Sequence, residues 1–149
     1  MRPESDLDPT LDFMRLLWSI EHGLQRASKR MEAALGVTGP QRLVLRVLDQ
    51  SPEMTAQGLA QLLHLHPSTV TGILQRLEKK GMLSRVRDVS DHRRVRLHVK
   101  PRGQRLNEPS SRTIEAVVSG ALGRLPASRV KHARVVLAAV ADALGESIE

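Results

Sequence analysis

Residues 59–81, LAQLLHLHPSTVTGILQRLEKKG, decide the fold of this 149-residue chain. Apolar residues crowd the first part of the stretch, which is typical of a short buried helix. In the second part they recur at helical intervals, at Val70, Ile73, Leu74 and Leu77. The join at residues 65–68 contains Pro67, which suits the first turn of a helix because its missing N–H costs nothing there. Since the join is too short for the two helices to lie side by side, the stretch predicts a helix-turn-helix unit.

The second helix of this unit presents a polar face once its apolar side is buried. If that face lies in the major groove of DNA, the N-terminal half of the helix meets the base edges. Gln75 is the best candidate for reading a base, because its amide can form two hydrogen bonds to adenine; a solvated position is the alternative. Arg76, Lys79 and Lys80 suit phosphate groups, which provide affinity without sequence information. The predicted DNA-binding residues of this helix are Pro67, Ser68, Thr69, Thr71, Gly72, Gln75, Arg76 and Lys79.

Positive charge is concentrated around this unit. Residues 55–103 contain ten Lys or Arg and three Asp or Glu, so this third of the chain accounts for the formal net charge of +7. Thirteen basic and thirteen acidic residues balance one another outside it. A basic surface without a function would spread its charge more evenly, whereas this concentration favours a face that binds a polyanion such as DNA.

A basic hairpin is predicted directly after Gly81, which ends the second helix. Residues 94–100 alternate strictly between apolar and polar or basic side chains, as a strand with one buried face does. Residues 82–87 form the partner strand in this interpretation, and the polar residues 88–93 form an exposed loop. Such a wing can reach the DNA backbone or the minor groove beside the helix in the major groove. Its predicted DNA-binding residues are Arg85, Arg87, Asp91, Arg93 and Arg94.

Amphipathic helices flank this reading unit on both sides. After an expected N-cap at Thr10, apolar residues recur every three or four positions up to Leu35, and Gly36 ends the helix. So long a seam, with little nearby sequence to cover it, favours packing against a second subunit over an ordinary core helix. Residues 101–149 carry two further apolar stripes, which are separated by Pro126 and contain no motif of their own.

These patterns predict a mainly α fold with a small β-hairpin wing: a winged helix-turn-helix with N- and C-terminal dimerisation helices. We expect a flexible arm at residues 1–9, a helical dimerisation layer at residues 10–36 and 101–149, and the DNA-binding domain at residues 37–100. The expected contacts of the homodimer are Phe13, Leu16, Leu17, Ile20, Leu137, Val140 and Leu144.

Composition narrows the chemistry that the chain can perform. It contains no cysteine, which excludes disulfides, thiolate metal sites and thiol redox sensing. Charge interrupts its apolar runs well before the roughly 20 residues that a membrane span needs. The N-terminal sequence MRPESDLDPT lacks the apolar core of a signal peptide. We therefore expect a cytoplasmic protein without membrane contact.

The order of these parts resembles the MarR family of winged helix-turn-helix transcription regulators. Residues 59–85, LAQLLHLHPSTVTGILQRLEKKGMLSR, and residues 91–103, DHRRVRLHVKPRG, are similar to the recognition region and the wing of that family. The resemblance implies a homodimer on double-stranded DNA, and in particular a repressor on an inverted-repeat operator. It also implies that Arg93 enters the minor groove while Asp91 helps to orient it. Gly72 stands where the family often has a basic residue, so one expected DNA contact is missing.

The family resemblance further implies a small-molecule effector, commonly an aromatic anion bound between the dimerisation layer and the reading unit. Phe13 and Trp18 are the only aromatic residues, so the chain offers few surfaces for stacking. The absence of cysteine argues against the branch of the family that senses oxidation. The identity of any effector therefore stays open.

Other functions remain as alternatives to a specific regulator. A winged helix can also serve as a protein-interaction module or bind chromosomal DNA without site preference. His64 and His66, or His92 and His98, would be the ligands of a metal-responsive regulator, although we expect neither a metal nor a cofactor. We expect no enzyme, because the adjacent side chains of Ser-Asp-His at residues 90–92 cannot face one another as a catalytic triad requires.

Overall fold

The computed structural model describes residues 7–146. Within this range, helices surround one antiparallel hairpin, which confirms the predicted fold class. In chain order the elements are α1 Pro9–Leu35, α2 Gly39–Gln50, α3 Ala56–Leu63, α4 Pro67–Lys79, β1 Leu83–Arg87, β2 Val95–Val99, α5 Pro101–Arg105, α6 Ile114–Leu122 and α7 Ala127–Glu146.

Helix α1 begins earlier than the sequence pattern indicates. The N-cap is Asp8 and not Thr10, because the Asp8 carboxylate accepts a hydrogen bond from the Thr10 N–H at 2.9 Å. Pro9 takes the first helical position, where no N–H is needed, so it belongs to the helix and not to an arm. Gly36 ends the helix in the left-handed conformation, with φ of 76°. The rest of the predicted arm at residues 1–6 lies outside the described residues.

Polar side chains cap the N-termini of α2 and α3. Thr38 Oγ1 accepts from the Gln41 N–H at 3.3 Å, and Gln41 Oε1 accepts from the Thr38 N–H at 3.2 Å, which completes a capping box. Thr55 Oγ1 accepts from the Gly58 N–H at 3.0 Å, but Gly58 has no side chain to return the bond. These caps fix the points at which both helices enter the core.

One hydrophobic core joins α2, α3, α4 and the hairpin. All of its buried members lie between residues 37 and 99, inside the predicted DNA-binding domain. Burial of each Leu, Ile or Val side chain contributes about 1.5–3 kcal/mol, so this segment holds most of the apolar stabilisation within one chain. The buried residues are Val37, Val44, Leu45, Leu48, Leu59, Ala60, Val70, Ile73, Leu74, Leu77, Met82, Leu83, Leu97 and Val99.

The hairpin is anchored at its base and projects its loop away from the core. Strands β1 and β2 pair with Leu83 opposite Val99. Leu97 and Val99 are buried, as the alternation predicts, whereas Val95 at the loop end is exposed. Strand β2 is one residue shorter at each end than the predicted strand 94–100.

The short helix α5 packs tightly against the hydrophobic core of residues 37–99. It contacts α2 and β2, although its residues fall within the predicted dimerisation layer. A Cβ atom at Gly103 would lie 2.5 Å from the Met82 carbonyl oxygen and 3.3 Å from a methyl group of Leu45. Only glycine therefore permits this close approach of α5.

Helices α1, α6 and α7 contribute little to the core. Met31 is the buried residue of α1, and α6 and the described part of α7 bury none. No helix in residues 7–146 is long and apolar enough to cross a membrane. Because α1, α6 and α7 bury so few residues, one chain alone leaves a large apolar surface uncovered on them. Its exposed residues are Leu11, Phe13, Met14, Leu16, Trp18, Ile20, Leu24, Val117, Val118, Leu122, Val135, Val136, Leu137 and Leu144.

Candidate nucleic-acid interface

Helix α4 has an apolar side in the core and a polar side in solvent. It packs against α3 after the short join at residues 64–66, so the predicted helix-turn-helix unit is present. Val70, Ile73, Leu74 and Leu77 form the buried side. The residues predicted to contact DNA are half-buried at Gly72 and exposed at Pro67, Ser68, Thr69, Thr71, Gln75, Arg76 and Lys79.

The first turn of α4 is organised by His66, which the sequence interpretation considered only as a possible metal ligand. His66 is the N-cap, and its Nδ1 accepts a hydrogen bond from the Ser68 N–H at 3.2 Å. The Ser68 hydroxyl lies 2.6 Å from the same Nδ1. The sequence does carry a signal for this cap, because His66 directly precedes Pro67 and proline is common at the first helical position. The cap fixes the end of α4 at which exposed N–H groups and the positive end of the helix dipole face solvent.

Gly72 in the middle of α4 has no structural reason within this chain. A Cβ atom at this position would meet nothing within 4 Å. Glycine nevertheless costs about 1 kcal/mol relative to alanine inside a helix. The open space beside Gly72 agrees with the interpretation that this backbone approaches an external surface closely.

The basic residues near the end of α4 separate into free and engaged side chains. Within the described residues, Arg76 and Lys79 are exposed and form no ion pair. Lys80, expected at a phosphate with them, instead donates from Nζ to the Gly36 carbonyl at 2.7 Å and to Gln41 Oε1 at 2.9 Å. It therefore ties α4 to the start of α2.

The wing arginines differ in the same way. Arg85 Nε lies 3.0 Å from Glu78 Oε1, which links β1 to α4 and partly neutralises the arginine. Arg87 and Arg93 are exposed and form no ion pair in the part of the chain that the structure describes. Arg94 lies 3.8 Å from Asp91 and is 78% exposed. The wing thus offers at least two cations whose charge no carboxylate offsets.

Asp91 acts on the main chain of the wing loop. Its Oδ1 accepts a hydrogen bond from the Arg93 N–H at 3.0 Å. This contact fixes the backbone from which the exposed Arg93 side chain extends. Asp91 therefore shapes the loop without neutralising Arg93.

An ion network that the sequence interpretation missed holds the base of the loop. Arg96 Nε donates to Asp88 Oδ2 at 2.9 Å, and Arg96 Nη1 lies 3.5 Å from Glu53 in the loop between α2 and α3. The Ser90 hydroxyl and N–H both donate to Asp88 Oδ1, at 2.7 and 2.9 Å. The two hydrogen bonds from Ser90 and, as a smaller contribution, the bond from Arg96 hold the pKa of the Asp88 carboxyl well below its usual range. Arg96 therefore connects the wing to the body of the domain.

The sequence offered two other arrangements of reactive side chains, a histidine metal site and a Ser-Asp-His triad. Among residues 7–146, no group of three or more His, Asp or Glu side chains is placed to hold a metal ion. The Ser90 hydroxyl is bound to Asp88 and not to His92.

Comparison with known proteins agrees with this architecture. Residues 37–95 match the model of the MarR family. FarR, an HTH-type transcriptional regulator of Neisseria gonorrhoeae, is 34% identical over 112 residues, which cover 72% of this chain and 76% of FarR. The HTH-type transcriptional repressor Rv2887 of Mycobacterium tuberculosis is 29% identical over 103 residues, covering 69% of this chain and 74% of Rv2887.

Solved structures show the same fold at lower identity. The crystal structure of an S. aureus MepR–DNA complex matches with a TM-score of 0.73 at 21% identity, covering 89% of this chain and 97% of MepR. The structure of Rv2887 in complex with salicylic acid matches with a TM-score of 0.57 at 24% identity, covering 94% of this chain and 99% of that chain.

Proposed function

Because the chain belongs to the MarR family of helix-turn-helix transcriptional regulators, we propose that it represses transcription as a homodimer on an inverted-repeat operator. In each half-site, α4 lies in the major groove and the wing loop enters the minor groove. One observation carries this proposal. The exposed side of α4 and the wing arginines without an ion pair both lie in residues 55–103, the segment that holds all the excess positive charge. The opposite side of α4 is buried in the hydrophobic core.

The DNA contacts divide by chemistry. Gln75, exposed on α4, reads a base, and the short hydroxyl side chains of Ser68 and Thr71 position the helix. Arg93 enters the minor groove from the loop that Asp91 fixes. The phosphate contacts are made by Arg76, Lys79, Arg87 and Arg94.

The uncovered apolar surface of the terminal helices supports the homodimer. Ile20 and Leu24 continue the long seam of α1 and are 54% and 43% exposed. Leu137, Val140 and Leu144 form a stripe of the same three-and-four spacing on α7, with Leu137 46% exposed. An apolar stripe of this kind on a stable helix is normally buried against another helix. We propose that residues 10–36 and the helices α6 and α7 provide the dimerisation layer, and that the second copy covers it.

Selection of bound fragments from random DNA tests the proposal. We expect enrichment of a palindrome whose half-sites lie about one helical turn apart, because two recognition helices are related by a two-fold axis. A footprint on the selected site would then cover both half-sites. Binding without an enriched sequence would contradict the proposal and favour the alternative, a general chromosome-binding or protein-interaction module.

Substitution of Gln75 tests the base-reading assignment on the selected operator. We expect Gln75→Ala to lose about 1–3 kcal/mol of binding free energy at one base pair of each half-site. The matched control is Lys79→Ala on the same helix, which weakens binding to all sequences alike. A uniform loss for Gln75→Ala would show that Gln75 contacts phosphate.

We also propose an anionic small-molecule effector that releases the DNA. Rv2887 has been captured with salicylic acid, which combines a carboxylate with an aromatic ring. This chain has a cavity of about 280 Å³ between the ends of α1 and α4 and the helix α5. Lys80, Arg102 and Arg105 line it together with Leu35 and Leu106, so it suits an anion with an apolar body.

Salicylate is the probe for this effector proposal. We expect it to raise the melting temperature of the free protein and to displace the labelled operator, and both effects weaken in the double variant Arg102→Ala, Arg105→Ala. Absence of stabilisation by salicylate and a panel of related phenolic acids would favour a constitutive repressor.

The proposed activity is binding and not catalysis. The known relatives compared above are transcription regulators. We place the protein in the cytoplasm because its proposed target is chromosomal DNA, and the proposal requires no cofactor. Incubation with labelled operator should leave the DNA chemically unchanged.

A further inference from the structure

Arg42 is a buried cation that the assignment of DNA contacts leaves unexplained. It lies in the first turn of α2 and is 3% exposed, although arginine is almost never buried unless it is paired. Its Nε donates to Glu115 Oε1 at 2.6 Å. Its Nη1 donates to the Leu106 carbonyl, and its Nη2 to the Glu108 carbonyl at 3.4 Å. All of these acceptors follow α5 in the chain.

Arg46, one turn further along α2, continues the same contact. Its Nη1 donates to the Asn107 carbonyl at 2.8 Å, and its Nε lies 3.9 Å from Glu115. Carbonyl groups of the consecutive residues 106, 107 and 108 therefore all accept from arginines of α2. These residues lie in the non-helical connection between α5 and α6.

The carboxylate partner is placed to strengthen this joint. Glu115 lies in the first turn of α6, whose N-cap Thr113 accepts from the Ala116 N–H at 3.3 Å. Negative charge is favoured there by the helix dipole, and the bond to Arg42 is a charge-assisted one. The contact thus joins α2, which belongs to the DNA-binding core, to α6, which belongs to the proposed dimerisation layer.

We propose that Arg42 is a positioning residue that fixes the angle between the DNA-binding domain and α6. This inference rests on the proposed function, because that angle sets the distance between the two recognition helices of a dimer. Arg42 itself lies away from DNA on the buried side of α2. Its planar guanidinium serves acceptors on three residues, Leu106, Glu108 and Glu115, and so holds both ends of the connection between α5 and α6 against α2.

A series of operators with altered spacing tests this inference. Wild type and Arg42→Gln are titrated with the selected operator, with the same operator carrying two extra base pairs at its centre, and with an isolated half-site. Two inserted base pairs turn one half-site by about 70° relative to the other. We expect wild type to lose about tenfold or more in affinity on the insertion and Arg42→Gln to lose much less, with half-site affinity unchanged.

Two further variants separate positioning from folding. Arg42→Lys keeps the charge but loses the fork, so it should restore spacing discrimination only in part. Glu115→Gln keeps the bonds from Arg42 to the carbonyl groups and should relax spacing discrimination in the same direction as Arg42→Gln. If Arg42→Gln does not fold, Glu115→Gln tests the positioning role in its place. The matched control is Glu53→Gln, which removes an exposed ion pair with Arg96 within residues 37–100 and should leave spacing discrimination as in wild type.

The outcomes distinguish the inference from the function on which it rests. If Arg42→Gln and Glu115→Gln both discriminate spacing as wild type does, Arg42 does not position the domains. If both lose half-site binding as much as operator binding, the contact supports the reading domain itself and the inference is wrong. Failure of wild type to prefer any inverted repeat would instead overturn the proposed function.

Discussion

Single arginines of the wing differ in how far a carboxylate already offsets their charge. Arg93 is exposed without an ion pair in the described residues, whereas Arg85 lies 3.0 Å from Glu78. We expect Arg93→Ala to reduce the slope of log affinity against log salt by about 0.9, because one cation fewer then displaces counterions from the DNA. Arg85→Ala, as the matched control, should change the slope less. Fluorescence anisotropy with labelled operator across a salt series measures both; a wild-type slope for Arg93→Ala would refute its assignment to the DNA contact.

The contribution of Asp88 in the wing to the stability of the fold should depend on pH. The hydrogen bonds from Ser90 and Arg96 lower the pKa of Asp88 from its ordinary 3.8, so the folded state favours the ionised form. The stabilisation is therefore present above pH 3.8 and is lost as the pH falls further. We expect Asp88→Asn to lower the melting temperature by a constant amount from neutral pH down to that value, and by less below it. Thermal unfolding over a pH series checks this; an unchanged difference at the lowest pH would contradict it.

The sequence predicts which side chains of a helix are exposed, but it does not predict which residues they contact. The exposure of Gln75, Arg76 and Lys79 follows from the helical period alone. Lys80 and Arg96 carry the same kind of basic signal in the sequence. Lys80 binds Gly36, 44 positions away, and Arg96 reaches Glu53, 43 positions away, in addition to the nearby Asp88. No local pattern reports the two distant partners.

Among the helices, the glycines of α4 and α5 predict opposite effects on stability. Alanine at Gly72 of α4 meets nothing within 4 Å, so Gly72→Ala should raise the free energy of unfolding by about 0.5–1 kcal/mol. Alanine at Gly103 of α5 would lie 2.5 Å from the Met82 carbonyl, so Gly103→Ala should lower it by about 1–3 kcal/mol. Urea denaturation measures both. Equal effects of the two substitutions would show that α5 moves away at little cost.

Element boundaries show which local signals the sequence carries in full. The capping box of Thr38 and Gln41 is a signal that lies wholly within four residues of the sequence. The start of α1 was misplaced because both Asp8 and Thr10 are good caps, and Pro9 between them decides the choice. Proline fixes φ and needs no hydrogen bond at the first helical position, which leaves Asp8 as the cap.

At the scale of the whole molecule, the division of apolar residues is the main structural fact. The core of one chain lies between residues 37 and 99, while α1, α6 and α7 expose most of theirs. The sequence predicted the stripes of these helices from their period. It could not show which surface covers them, because the helical period reports a buried side and not the identity of the partner.

A charge placed in this apolar layer should therefore separate the copies and leave each reading domain folded. Leu137 of α7 is 46% exposed in one chain, and Leu137→Glu would bring a carboxylate into the proposed dimer contact. We expect a monomer that binds the operator about a hundredfold more weakly than wild type, because the two half-sites are no longer bound together. Isolated half-site binding should persist, since the core between residues 37 and 99 is untouched. Leu62→Glu on α3, where the leucine is 53% exposed, is the matched control and should remain dimeric. Analytical ultracentrifugation measures the association; a dimeric Leu137→Glu protein would show that α7 lies outside the interface.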